Sequence, residues 1–226
     1  MNQNKIIEIY HKLLHHYGPQ GWWPFINIGY HKEDYSYPKN DDQFFEIVLG
    51  SILTQNTTFV SVQKALQNLN DLDALNLNGF KKLSEEQIKD AIRPAGYFNQ
   101  KFEYIKNFIL FFEELNGKIP NRDQLLSLKG IGEETADSIL LFAYQKPQFK
   151  CDAYTKRLLV ELKLINEKQK YKHMKQIFED ALEPIFSNKE ERVIIYQEFH
   201  ALIVEHGKHY YSKKPYGINC FLKEER

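Results

Sequence analysis

The chain has 226 residues and a mass of 26.9 kDa, with 42% hydrophobic and 27% charged residues, a composition that excludes extensive disorder and allows one large domain or two small ones. Its 30 Lys and Arg balance 30 Asp and Glu, so a polyanion would have to be met by local basic patches and not by a global positive field. The two cysteines, Cys151 and Cys220, are too few for a disulfide framework, a four-cysteine zinc site or a four-cysteine iron–sulfur cluster within one chain. Lys, Glu and His interrupt the apolar positions of the N-terminal segment, and no stretch reaches transmembrane length. These features predict a cytoplasmic protein without a membrane partner.

In chain order, Ile6, Ile7, Tyr10, Leu13, Leu14 and Tyr17 follow helical spacing, and Gly18-Pro19 ends that helix. Residues 20–42 are aromatic and turn-rich, which predicts an ordered loop with buried rings. Phe44, Phe45, Ile47, Val48, Leu49, Ile52 and Leu53 then make an almost wholly apolar, hence central, helix that ends at residues 54–58. A helix over about 59–68 follows, then one opened by the capping-box pattern Ser84-Glu85-Glu86-Gln87. After the Pro and Gly of residues 92–98 a long helix covers 99–115. A short helix from Arg122 leads through the turn Lys129-Gly130-Ile131-Gly132 into a helix over 133–144. Further helices are predicted over 153–162, 170–183 and 190–206, before a basic, turn-rich tail. Apart from a short extended link at 148–152 nothing alternates with period two, so the class is all-α.

The turn at 129–132 carries the most chemistry. Two glycines around one aliphatic residue let the backbone turn so sharply that the first N–H groups of the next helix can meet a phosphate. Such a contact holds a nucleic-acid backbone without reading its sequence, although the same turn also serves as an ordinary αα-corner. Asp152 stands after one more helix and a short link, where it can be a helix N-cap or a reactive carboxylate.

With these residues the sequence resembles the helix–hairpin–helix DNA glycosylases of the endonuclease III superfamily, over about residues 22–215. Four ordered motifs carry the likeness: Gly50 to Thr57, Gly96 to Lys101, the hairpin from Leu128 to Ala136, and Cys151-Asp152-Ala153-Tyr154-Thr155-Lys156-Arg157. Trp22-Trp23-Pro24, Arg93 to Lys101 and Phe199-His200 are most similar to the bacterial 3-methyladenine glycosylases of the MagIII type. The resemblance implies two helical lobes with a cleft for DNA and base between them. One lobe covers 38–148, with the hairpin at about 122–144, and the other combines 1–37 with 149–226.

Two departures bear on mechanism. Bifunctional members carry a Schiff-base lysine in the second hairpin helix, eighteen residues before the aspartate, and this chain has Glu134 there (134 plus 18 is 152). A carboxylate cannot form the iminium, so no AP lyase activity is expected unless another lysine substitutes, Lys129 being the nearest in sequence. At the C-terminal end only Cys220 remains of four cluster ligands, so no cofactor and no iron–sulfur cluster is expected.

The activity so implied is monofunctional hydrolysis of the N-glycosidic bond of alkylated purines, 3-methyladenine first, in base excision repair. Asp152 would stabilise the developing sugar cation and direct water. Trp22, Trp23, Phe45, Phe59 and Lys208 are the candidates for the pocket of the flipped base, with core packing open for Phe45 and a phosphate contact open for Lys208. Gln55 and Asn56 are candidates to fill the gap in the duplex, and Lys129, Gly130, Ile131, Gly132 and Thr135 to hold its backbone. No side-chain metal site is expected. The family implies a monovalent cation at the carbonyls of Leu128 and Ile131. Residues 161–175 hold five Lys against two Glu, and 206–214 three Lys and no acid, either a phosphate-facing surface or a solvated face. The expected partner is double-stranded DNA with a damaged base, bound by a monomer at the bacterial nucleoid. Two other readings stand beside this one. The first is a glycosylase for oxidised pyrimidine, uracil or mismatched adenine, and the second a non-catalytic hairpin DNA-binding module.

Overall fold

The computed structural model describes residues 3–186 and 188–223. Its helices are α1 (Gln3–Tyr17), α2 (Asp41–Leu53), α3 (Phe59–Asp71), α4 (Leu77–Lys82), α5 (Glu85–Ile92), α6 (Phe98–Leu115), α7 (Arg122–Leu126), α8 (Glu133–Ser138), α9 (Ala153–Glu161), α10 (Tyr171–Leu182) and α11 (Lys189–Tyr210). A 3-10 turn precedes α6, and α8 runs on into a π-helical turn at Ile139–Ala143. Among the described residues there is no strand, only an isolated bridge between Phe25 and Gly29. The chain is all-α.

Two compact units emerge. One combines the residues up to Trp22 with Tyr30–Tyr35 and those from Gln145 on, and the other combines Trp23–Gly29 with Ser36–Tyr144. Residues 23–29, grouped by the sequence reading with the N-terminal helix, thus pack with the second unit.

The second unit is built on α2, whose residues from Phe45 to Leu53 are all buried. Gly50 sits in this helix because the Trp23 ring lies on it: a Cβ there would come within 2.3 Å of Trp23 Cζ2. Trp23 also meets Phe59 and Phe142 edge-on at 5.8 and 5.9 Å. Phe45, 5% exposed, packs edge-on against Phe80 at 5.5 Å and so belongs to the core, the alternative that its apolar helix left open. The predicted capping box of Ser84 and Gln87 is formed. Helix α4 escaped the sequence reading because, in six residues, it buries only Phe80.

Glu46 is buried in this core and accepts a hydrogen bond from Ile26 N at 2.7 Å, beside a cavity of about 260 Å³ that Asp42 and Asp73 also line. Burial pushes its carboxyl up to about 7. A raised folded-state pKa stabilises the protonated form, so this contribution is complete below about 4.5 and is lost as pH climbs through about 7. Glu46→Gln keeps the acceptor for Ile26 and is expected to be more stable than wild type by on the order of 2 kcal/mol at pH 8, with no gain at pH 4. Chemical denaturation at both pH values checks this. An unchanged difference between them would refute it.

In the first unit, Phe149 stacks on Phe178 at 4.1 Å and meets Tyr196 and Phe199 edge-on. Helix α11 reaches Tyr210, beyond the predicted end near His206, and carries Gly207 in its interior. The residue there is glycine because the Tyr154 ring occupies the place of a side chain, with Cγ 2.3 Å from an ideal Cβ. Glu198 of α11 accepts from Gln20 N at 2.6 Å, Gly21 N at 3.5 Å and the Tyr35 hydroxyl at 2.9 Å, which anchors the loop leading into Trp22.

Candidate active site

Residues 148–152 form the short extended link that the sequence implied. Phe149 and Cys151 are fully buried, whereas Lys150 and Asp152 keep side-chain exposures of 10% and 15%. Side chains two apart in an extended segment share a face, and Lys150 Nζ lies 4.0 Å from Asp152 Oδ2. Asp152 is the N-cap of α9. Its Oδ1 accepts from Thr155 N at 2.8 Å and from Thr155 Oγ1 at 3.0 Å, and Thr155 Oγ1 accepts in turn from Asp152 N at 3.2 Å. The two roles open to this residue therefore coincide: capping engages one carboxylate oxygen and leaves the other facing Lys150. Burial works against ionisation, but the Lys150 ammonium and the Thr155 donors outweigh it and hold the carboxyl below its ordinary value.

Lys150 Nζ also lies 3.3 Å from Nε2 of His200 on α11. Burial first, and then the Lys150 charge, push His200 down to about 3, so the ring is neutral and accepts from the ammonium. The Trp22 ring stands at 88° to His200 with centroids 6.0 Å apart, and Tyr30 lies 6.0 Å from Trp22. Lys208 sits 6.0 Å over Tyr30 and is paired with Glu205 at 2.9 Å. Asp152, Trp22 and Lys208 thus belong to one connected group in the first unit. Lys150 and His200, which the sequence reading did not place in the site, join them. The i, i+2 spacing of Lys150 and Asp152 was the available signal for the lysine, and the Phe199-His200 pair of the family resemblance was the one for the histidine.

In the second unit the hairpin is held by Arg122, whose Nε donates to Asp137 Oδ1 at 2.8 Å and whose guanidinium reaches Glu133 at 3.3 Å. Gly130 adopts φ +93, with the Tyr104 ring where a side chain would stand, and Gln55 Nε2 donates to its carbonyl at 2.9 Å. Gln55 is therefore fastened to the hairpin, next to Asn56 at φ +53. Buried Lys101 donates to the carbonyls of Leu53 at 2.7 Å and Ala95 at 2.8 Å, tying the segment before Gln55 to the turn before α6. Burial lowers its pKa to about 8.

Gly132 caps α8 without a side-chain acceptor, and Lys129 is exposed. Ile131 and Thr135 are both 5% exposed. Their side chains pack inward, which leaves only their backbone groups for a phosphate. Leu128 O already takes the Ile131 N–H at 3.1 Å, and its second lone pair is the one a cation could use. Trp23 and Phe59 meet within the second unit, so the aromatic pocket candidates divide between the units.

The cluster-binding region of the wider superfamily finds different chemistry here. His206 Nε2 and the Tyr211 hydroxyl lie 3.2 and 3.3 Å from Cys220 Sγ, while Tyr17 reaches His206 Nδ1 at 2.9 Å. Among the described residues no group of three or more His, Cys, Asp or Glu could hold a metal ion, and a cluster needing four thiolates does not fit this donor set.

Residues 49–184 match the family of HhH-GPD superfamily base excision DNA repair proteins. The chain is 40% identical to the "Putative DNA repair glycosylase MJ1434" of Methanocaldococcus jannaschii, over 99% of this chain and 98% of that protein. It is 30% identical to endonuclease III of Sulfolobus acidocaldarius over 80% of each. Among solved structures it is similar to the Helicobacter pylori 3-methyladenine DNA glycosylase MagIII bound to 1,N6-ethenoadenine, with a TM-score of 0.70, 28% identity and coverage of 92% of this chain and 98% of that one. A non-covalent endonuclease III–DNA complex gives a TM-score of 0.71 at 18% identity over 98% and 94% of the two chains, a likeness of fold. By its family match and its 40% identity over nearly the whole length of a relative, the chain belongs to the HhH-GPD superfamily and is a DNA glycosylase of base excision repair.

Proposed function

We propose that this glycosylase is monofunctional: it flips an alkylated purine, with 3-methyladenine as the reference lesion, out of double-stranded DNA and hydrolyses its glycosidic bond without cutting the strand. The observation that carries the reading is the divided carboxylate of Asp152, fixed by Thr155 through one oxygen and facing Lys150 at 4.0 Å through the other, outside the cap. Ionised and rigid, it stabilises positive charge as it develops on the sugar and takes the proton of the attacking water. Glu134 stands where a hairpin lysine would form the covalent intermediate, and its carboxylate cannot do so. The alkylpurine class is supported by the Trp22-Trp23-Pro24 segment and by the likeness to MagIII.

In this reading the enzyme works as a monomer at the nucleoid and without an iron–sulfur cluster. Hairpin N–H groups and Lys129 hold the phosphates. The Leu128 and Ile131 carbonyls would hold a monovalent cation that adds positive charge beside the backbone.

The test is release of free bases from methylated duplex DNA, with borohydride trapping on the same samples. Free 3-methyladenine, an intact strand and no trapped adduct are expected. A trapped adduct would overturn the monofunctional assignment, and release only from DNA carrying uracil, an oxidised pyrimidine or mismatched adenine would overturn the lesion class. Binding without release of any base would leave the non-catalytic module.

A further inference from the structure

Beyond helping to hold Asp152 ionised, Lys150 takes no step in that mechanism, although it reaches into the same site. It is 8% exposed, its Nζ is 4.0 Å from Asp152 Oδ2, and it rests on a neutral His200 that accepts its hydrogen bond at 3.3 Å. Phe149 and Cys151 on either side are locked in the core, which fixes the backbone that carries both Lys150 and Asp152. The reacting sugar must come to Asp152, and the ammonium will stand beside it.

A lone carboxylate would attract any base that is cationic before cleavage, such as 3-methyladenine or 7-methylguanine. An ammonium 4.0 Å away cancels most of that attraction, and the neutral His200 adds no charge of its own. A neutral base carries no charge to be repelled. As its glycosidic bond breaks, the bonding electrons leave with the base, and a nearby cation stabilises the negative charge gathering there.

We propose that Lys150 is a specificity-determining residue that shifts this glycosylase, among alkylated purines, toward adducts that are neutral before cleavage and away from cationic ones. The inference rests on the reading of Asp152 as the hydrolytic carboxylate. It concerns a ratio: cationic lesions, whose glycosidic bonds are intrinsically weak, remain substrates, and Lys150 narrows their advantage. Two unit charges about 6 Å apart at a partly screened site change a rate constant on the order of 10-fold, which sets the expected size.

The experiment measures single-turnover release of 1,N6-ethenoadenine from a defined duplex, and of 3-methyladenine and 7-methylguanine from methylated duplex. Wild type, Lys150→Met and Lys150→Arg are compared. Lys150→Met is expected to lower the ratio of neutral to cationic release about 10-fold, and Lys150→Arg to keep it within about 2-fold of wild type. A change in the alignment of Asp152 would scale both rates together and leave the ratio alone, and a loss of its charge would raise the ratio, so a fall in the ratio isolates the Lys150 charge. If Lys150→Met slows both lesions equally, or if Lys150→Arg shifts the ratio as far as Lys150→Met does, the specificity role is overturned. If wild type releases none of these bases, the underlying reading fails first, and it does so independently of the variants.

Discussion

Replacing Asp152 by asparagine is expected to lower base release on the order of 10³-fold while leaving DNA affinity within about 3-fold of wild type. Asparagine is as good an N-cap as aspartate, so the bonds from Thr155 N and Thr155 Oγ1 to Oδ1 have an equivalent acceptor and α9 should keep its start. What disappears is the charge. A neutral amide can neither stabilise the sugar cation nor take a proton from water, and it leaves Lys150 without its anionic neighbour. Asp152→Ala separates the two functions of this residue. It should lose activity to the same degree and also about 1 kcal/mol of stability, because the cap is gone. Base release, filter binding and thermal melting of the three proteins decide between the readings. Unchanged release in Asp152→Asn would remove the carboxylate from the chemistry and leave it as a cap.

Much of this site could be read from the chain because its parts are local. A capping box needs only four consecutive residues, and both Ser84-Gln87 and the Asp152 cap follow from side-chain types at fixed spacing. The all-apolar run of α2 announced a buried central helix, and the glycine pair announced the hairpin. What escaped depends on partners far away in the sequence. The helix predicted over 190–206 runs on to Tyr210, through a Gly207 whose side-chain space is taken by Tyr154. Trp22 and Trp23 are neighbours in sequence, yet one meets His200 in the first unit and the other lies on Gly50 in the second. Ile131 and Thr135 belong to the hairpin, and sequence alone does not say that both side chains turn inward. His200 becomes part of the site only because α11 packs beside the 148–152 link, 50 residues away from Lys150.

The hairpin yields the second large effect. Gly130→Ala is expected to destabilise the protein by about 3 kcal/mol, because two penalties act at one atom. At φ +93 an L side chain is strained in any surroundings, and the new Cβ would lie 2.1 Å from Cδ1 and Cγ of Tyr104. Tyr104 is on α6, which also carries the buried Lys101 that caps Leu53 and Ala95, so the ring cannot retreat freely. Moving the hairpin instead would strain the bond from Gln55 to the Gly130 carbonyl and the Arg122 to Asp137 pair, in which the aspartate is completely buried. Either route disturbs the loop and the turn proposed to face the DNA, so affinity should fall more than 10-fold along with stability. Gly132→Ala is the control. Its φ of −89 is ordinary and nothing stands within 4 Å of its would-be Cβ, so it should cost no more than about 1 kcal/mol through the weaker N-cap. Urea denaturation and salt-dependent DNA binding of the two variants test the argument. Equal stabilities would show that α6 yields to the hairpin, and intact DNA binding in a destabilised Gly130→Ala would show that the turn is structural scaffolding and not a phosphate contact.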